Sequence, residues 1–436
     1  MKVKTFLSSC LIFATTCLFA QIDLSKVTIN VKTNKPSLSY KKGEKMVYTF
    51  TADFANQKSD GYFLSYTRRG DDNQTIKGKS PANKPLVIET SLNKPGFVSV
   101  NVYLTDAKGT YLKAKINNKR FRYIANFAGT AVEPETLTEC QEPADFDAFW
   151  ARQRAKLAKV EFRGKVDIKK VKTIRNVNIY AVSIPCAGPR PATGYLTIPV
   201  NAKPGSLPAL ISFFGYGNAF QGIPGRVNTN CIHLSLNAHG QKLGMDKQYY
   251  VDFFNSIKSN GKNYAFDPIQ NSDPEKAFFN GMALRVMRAL EYLKTRPEWN
   301  KKDLQAMGGS QGGLQTLWAA ALDKDVTLAN AAIPWCCDLA GTTKKQRISG
   351  SWRIKYVPGL DYYDPVFLVK RIKTATVNIT RAGMGDYVCP PSGVAICYKN
   401  IASPRKSIAW YQGSDHGFVP KNHEITIWKT YDMKKK

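Results

Sequence analysis

Leu304-Gln305-Ala306-Met307-Gly308-Gly309-Ser310-Gln311-Gly312-Gly313-Leu314-Gln315-Thr316-Leu317-Trp318-Ala319-Ala320-Ala321 joins a short, mostly apolar run, a G-x-S-x-G pentapeptide and a helix-forming stretch without a break. Strand, tight turn around serine and helix is the context that makes such a pentapeptide a nucleophile elbow. The serine there sits on a sharp, strained turn, and larger neighbours would collide with the strand or with the following helix.

Strands and helices alternate on either side of this elbow. Ala209-Leu210-Ile211-Ser212-Phe213-Phe214 reads as a buried strand, 280–293 as an amphipathic helix, and 377–380 and 408–411 as further strands. Pro143-Ala144-Asp145-Phe146 reads as a helix start with Asp145 as N-cap, the helix continuing to about residue 159. This alternation predicts an α/β domain with a mostly parallel, doubly wound sheet over residues 134–436.

Residues 21–133 follow another pattern. Val27-Thr28-Ile29-Asn30-Val31, Val47-Tyr48-Thr49-Phe50-Thr51 and Phe97-Val98-Ser99-Val100-Asn101-Val102-Tyr103 alternate with period two, and turn signals such as Gly70-Asp71-Asp72-Asn73 separate them. Short strands at this spacing predict an all-β, immunoglobulin-like sandwich. The segment holds no histidine, which assigns it support or carbohydrate contact rather than chemistry.

Residues 1–20 begin Met1-Lys2-Val3-Lys4 and continue through an apolar stretch to Phe19-Ala20, the pattern of a secretory signal peptide. The stretch is too short to span a bilayer comfortably, and no other long apolar run follows. The expected location is therefore periplasmic or secreted, without stable membrane insertion. The net charge of +30 is spread along the chain, with no basic helix interleaved with aromatics. A cationic surface, with attraction to an acidic polysaccharide as the alternative, is expected, and no nucleic-acid partner. Of nine cysteines, Cys10 and Cys17 fall in the leader; the rest read as buried small hydrophobes, with a Cys389–Cys397 bridge left open.

A serine hydroxyl needs a base, and the base needs an orienting acid. In an α/β-hydrolase they follow the order serine, acid, histidine, each on a loop after a sheet strand. Of the four histidines, His233 and His239 precede Ser310, and His423 lies in the terminal segment. His416, in Gly413-Ser414-Asp415-His416-Gly417, follows the strand ending at Tyr411 and is the expected base. Asp386, after Gly383-Met384-Gly385, is the expected acid ahead of Asp364 and Asp415, the latter too near His416 in sequence to reach its Nδ1. The oxyanion hole is expected from the backbone N–H groups of Gln311 and of Tyr216, in Phe214-Gly215-Tyr216-Gly217. Phosphate-loop, dinucleotide and H-E-x-x-H patterns are missing, so no metal and no cofactor are expected.

Taken together, Asp145-Phe146-Asp147-Ala148-Phe149-Trp150, Gly215-Tyr216, Gly308-Gly309-Ser310-Gln311-Gly312-Gly313, Gly385-Asp386 with Val388-Cys389-Pro390-Pro391-Ser392, and Asp415-His416-Gly417 resemble successive landmarks of the acetyl xylan esterase / cephalosporin-C deacetylase family, carbohydrate esterase family seven. The resemblance covers roughly 140–436. It implies an α/β-hydrolase that removes acetyl groups from small acetylated sugars and oligosaccharides, with Ser310 as nucleophile, Asp386 as acid, His416 as base, and Tyr216 and Gln311 as oxyanion donors. Two places depart from the family pattern: Phe214 stands where a histidine is usual, and Asn237-Ala238-His239-Gly240-Gln241 replaces an Asp-x-Arg-Gly-Gln stretch.

The expected function is a secreted serine esterase acting on acetylated carbohydrate. Two alternatives remain. A serine peptidase of the prolyl-oligopeptidase kind would need a propeller that residues 21–133 are too few to build. A carbohydrate-binding protein on an inactive hydrolase scaffold would not need the serine, acid and histidine that this chain retains. Homo-oligomerisation is left open, as is the role of Trp335, Trp352, Tyr362 and Tyr363, which serve either sugar stacking or the core.

Overall fold

The computed structural model describes residues 22–117, 120–217, 220–348, 350 and 352–431. The expected signal peptide lies outside the described residues. Among them no helix is long and apolar enough to cross a membrane.

The centre of the molecule is a ten-stranded mixed sheet. Its middle is parallel: Ile232–Leu236, Leu207–Phe213, Trp299–Gly309, Leu328–Ala332, Thr376–Gly383 and Lys406–Tyr411 lie side by side in that order. Both margins turn antiparallel, through Asp167–Ile174, Val177–Ile184 and Ala192–Pro199 at one edge and Ile425–Lys429 at the other. The sheet is thus mixed rather than mostly parallel. At the first margin, residues 175–176 and 185–191 join consecutive strands and are too few for a crossover helix; at the other, residues 412–424, which carry His416, lead into the antiparallel Ile425–Lys429.

The expected amphipathic helix is Phe278–Lys294, and it is buried on nearly all sides. Arg285 and Arg288, which suggest a solvated face in the sequence, point inward. Arg285 Nε donates to the Ala238 carbonyl, and Arg288 Nη2 donates to those of Leu157 and Val160. Arg288 Nη1 also pairs with Glu291, while Arg285 Nη1 and Nη2 are buried without a partner among the described residues; a hydrophobicity pattern does not register such burial of charge. The helix Phe146–Ala158 begins where Asp145 predicts, but the Asp145 carboxylate pairs with Arg152 and Tyr362 rather than capping the helix.

The N-terminal strands form a three-stranded and a four-stranded antiparallel sheet, with a two-stranded one from Lys113–Asn117 and Arg120–Tyr123. Apolar side chains of the first two, among them Tyr48, Phe50, Val98, Val100 and Val102, share a core separate from that of the large sheet. The four-stranded sheet runs Thr75–Pro81, Phe63–Gly70, Gly96–Thr105, Ala125–Val132, and its last two strands abut the C-terminal half of the chain. Phe97 packs tilted against Trp410, Phe127 meets Phe418 edge-on, and the Gly413 carbonyl accepts from Phe127 N–H. A Cβ on Gly129 would lie 2.3 Å from the Met384 carbonyl oxygen, and one on Gly385 would lie 2.3 Å from that of Phe127.

The seven described cysteines, Cys140, Cys186, Cys231, Cys336, Cys337, Cys389 and Cys397, are all free. Cys389 and Cys397 are therefore not bridged. Both are buried thiols in a core large enough to hold the chain without a staple.

Candidate active site

The strand Trp299–Gly309 ends in the pentapeptide, and the helix Gln311–Leu322 starts one residue later. Ser310 joins them at φ 58° and ψ −121°, a backbone conformation that non-glycine residues rarely adopt. The turn is fixed by its neighbours: Ser310 N–H donates to the Ala332 carbonyl, and the Ser310 carbonyl accepts from Leu314 and Trp335 N–H. Glycine is required at two positions by close approach. A Cβ on Gly308 would lie 2.6 Å from the Gly312 carbonyl oxygen, and one on Gly312 would lie 2.4 Å from that of Phe213.

Two further loops meet this turn at the carboxyl ends of the sheet strands. His416 follows Lys406–Tyr411, and its Nε2 lies 3.0 Å from Ser310 Oγ. Its Nδ1 lies 3.0 Å from Asp386 Oδ2. Asp386 follows Thr376–Gly383 and is fully buried, and its Oδ1 accepts from the N–H groups of Val388 and Cys389. With three donors on its two oxygens, the carboxylate has its charge compensated and its orientation fixed. Arg381 Nη2 donates to the His416 carbonyl and anchors the histidine loop to the acid strand.

The rival acids are occupied elsewhere. Asp364 accepts from Asp338, Leu339 and Val366 N–H, and burial pushes its carboxyl well above the usual range. Asp415 accepts from Gly417 and Phe418 N–H, shaping the histidine loop. The other histidines also lie apart from the serine. His233 Nε2 pairs with Ser212 Oγ, burial lowers His239 to about 3, and His423 Nδ1 faces the Pro420 carbonyl. Cys389 comes near enough that one ligand atom each of Asp386, Cys389 and His416 fall within 4.8 Å. Burial raises the thiol's pKa, so Cys389 stands as a neutral neighbour.

The Phe214-Gly215-Tyr216 loop passes beside the serine, since a Cβ on Gly215 would lie 4.0 Å from Ser310 Cβ. Among the described residues neither the Tyr216 nor the Gln311 backbone N–H has a hydrogen-bond acceptor. The loop and the helix start are tied together by Tyr264, which neither spacing nor motif singles out. Its hydroxyl donates to Gln311 Oε1 and accepts from Gly217 N–H, while its carbonyl accepts from Tyr216 Oη. The two tyrosine rings stack with centroids 4.2 Å apart.

A serine hydroxyl at hydrogen-bond distance from a histidine, beside two backbone N–H groups without an acceptor among the described residues, is an arrangement suited to acyl transfer. Residues 135–352, half of this 436-residue chain, match the family model for acetyl xylan esterase (AXE1). The chain belongs to the acetyl xylan esterase family. It is accordingly a carboxylic ester hydrolase. The matched span holds Tyr216, Ser310 and Gln311 and ends before Asp386 and His416.

The esterase is 27% identical over 349 residues to acetyl esterase Axe7A of Xylanibacter ruminicola, covering 73% of this chain and 70% of that one. Two solved structures share its fold, each with a TM-score of 0.55: acetyl xylan esterase from Paenibacillus sp. R4, 24% identical, and acetyl xylan esterase 1 from Thermoanaerobacterium sp. JW/SL YS485, 22% identical. Each similarity covers 66% of this chain and 94% of the other. The fold is that of an α/β-hydrolase.

Of the four aromatics in question, Trp335 and Tyr363 belong to the core of the esterase, and Tyr362 packs on Phe149. Trp352 is 46% exposed and meets the Tyr216 ring edge-on at 5.1 Å. It is the one of the four that presents an exposed ring beside the Phe214-Gly215-Tyr216 loop.

Proposed function

We propose that this chain is an exported serine esterase that removes O-acetyl groups from acetylated xylan or xylo-oligosaccharides, with Ser310, His416 and Asp386 as its catalytic residues. The hydrogen-bonded line from Ser310 Oγ through both ring nitrogens of His416 to Asp386 carries this reading. With Nδ1–H donating to Asp386, Nε2 is free to accept the serine proton as Oγ attacks the acetyl carbonyl. The negative charge that develops on the carbonyl oxygen is received by the Tyr216 and Gln311 N–H groups. Removing one such donor elsewhere costs about 2.7–4 kcal/mol of transition-state stabilisation. His416 then protonates the departing sugar hydroxyl. It next takes a proton from water, whose oxygen attacks the acetyl-enzyme and releases acetate.

The substrate class rests on family membership, on the naming of the relatives as acetyl or acetyl xylan esterases, and on Trp352, whose exposed ring suits a sugar face. Export rests on the leader-like residues 1–20. Residues 21–133 are read as an immunoglobulin-like sandwich module, and residues 134–436 as the hydrolase domain. The module's contacts with the acid and histidine loops give it a supporting role. Acetate release should be measured from acetylated xylo-oligosaccharides, from 4-nitrophenyl acetate and, as a control, hydrolysis of a proline-containing peptide. Turnover of the first two is expected. Peptide cleavage without acetate release would replace this reading with a peptidase.

A further inference from the structure

The strand Gly96–Thr105 alternates Val98, Val100, Val102 with Ser99, Asn101, Tyr103. The valines fill the N-terminal core, so the second set occupies the opposite face of the sheet. In a two-sheet module that face ordinarily meets water. Here it is covered: Ser99 is buried and Asn101 is 5% exposed. The loop that carries the acid, together with Ile348 and Gly350, covers it, with a cavity of about 380 Å³ left between; Arg69, Ser99, Asn101 and Tyr103 line one side, and Gly385 and Tyr387 lie on the other. Arg69 pairs directly with Ser99 across the sheet and so shares its face.

The polar groups in this cavity are not spent on one another. Asn101 Oδ1 is buried and has no hydrogen-bond partner among the described residues. The half-buried Arg69 guanidinium has neither an acidic partner nor an acceptor among them. A native protein rarely leaves a buried amide oxygen unsatisfied, because each such atom costs the water it has lost. A guanidinium and an orphan acceptor at diagonal positions of neighbouring strands, lining one cavity, ask for a ligand that carries both an anion and a hydroxyl donor. Tyr387, half-buried on the other wall, adds a phenol ring for an apolar face. A simple phosphate would serve Arg69 but has no donor for Asn101 at full ionisation.

We propose that this cavity is a binding subsite for an acidic sugar, a uronate residue carried by the polysaccharide. Its carboxylate sits on Arg69, a ring hydroxyl donates to Asn101 Oδ1, and the sugar ring lies against Tyr387. The N-terminal module thus adds recognition of charged branches to an esterase whose own residues handle the acetyl group; only the choice of polymer rests on the function proposed above. The strongly basic chain would enrich such a polymer at its surface, and the cavity would select among its residues.

The test is calorimetric titration of the full chain carrying Ser310→Ala with a glucuronate-substituted xylotetraose and with plain xylotetraose. The substituted sugar is expected to bind about tenfold more tightly, as for one charge-assisted pair gained. Free glucuronate is expected to compete with it. Arg69→Ala should abolish the preference, Asn101→Ala should weaken binding of the substituted sugar at unchanged charge, and Lys203→Ala, which removes one exposed cation elsewhere, should keep the preference. Equal affinity for the two sugars, a preference that survives Arg69→Ala, or no competition by glucuronate would overturn the subsite. Because binding is measured, its failure leaves the esterase reading standing, while an active Ser310→Ala enzyme would sink that reading without touching the subsite.

Discussion

Ser310 is held at a φ that costs an ordinary residue on the order of 1–3 kcal/mol, and the three backbone hydrogen bonds around it are what keep it there. The strain places Oγ at His416 Nε2 while the next residue's N–H faces the same space. The convergence of Ser310, Asp386 and His416 was legible in the sequence, because strand order constrains which residues can meet and four histidines left few choices. Tyr264 was not legible, since its role rests on hydrogen bonds to residues 47 positions away on either side. Tyr264→Phe removes both the donor to Gln311 Oε1 and the acceptor for Gly217 N–H. A buried pair of this kind is worth about 1–3 kcal/mol, so kcat for an aryl acetate should fall about tenfold with KM nearly unchanged. Steady-state kinetics decides this, and an unchanged kcat would remove Tyr264 from the account.

At the level of elements, the acid and histidine loops are braced by the N-terminal sheet. Gln412 lies just before the histidine loop; its Oε1 accepts from Gly129 and Gly413 N–H, and its Nε2 donates to the Gly129 carbonyl and to Ser37 Oγ. Gln412→Ala leaves buried backbone groups unpaired, at about 1–3 kcal/mol each, and should lower the melting temperature by several degrees. Turnover should fall as well, since the same side chain fixes the His416 loop. Gly129→Ala should act through the acid loop, because the new methyl would meet the Met384 carbonyl. Calorimetry and kinetics on both variants test the brace, and wild-type stability with wild-type turnover would contradict it. Period-two alternation announced the strand Gly96–Thr105, but it cannot say what covers the polar side. The same blindness made Phe278–Lys294 look half-solvated, when its arginines are buried and donate to backbone carbonyls through Arg285 Nε and Arg288 Nη2.

Across the whole molecule, two apolar cores meet along a seam that also buries charge. Asp71 in the N-terminal sheet accepts from Ile348 N–H, and Asp338 nearby pairs with Arg347. Burial raises the pKa of Asp71 and pushes Asp338 up to about 6. Carboxyls raised above their unfolded values bind protons more tightly when folded. The contribution of Asp338 to stability is therefore full below about pH 4 and is lost as pH rises through about 6. Asp338→Asn should flatten the decline in melting temperature between pH 5 and 7, as read by scanning calorimetry across that window. An unaltered slope would show that Asp338 does not carry it. The alternation of strands and helices foretold the α/β half, while the antiparallel margins of the sheet escaped notice because a strand's composition carries no orientation.

The central claim is that Ser310 is the nucleophile of an esterase. Turnover of 4-nitrophenyl acetate by Ser310→Ala, measured beside the parent under saturating substrate, tests it most directly. The account predicts a loss of about 10⁶-fold in kcat, as for removal of a serine nucleophile elsewhere. A variant that retains activity within about tenfold of the parent, far short of the loss such removals cause, would contradict it.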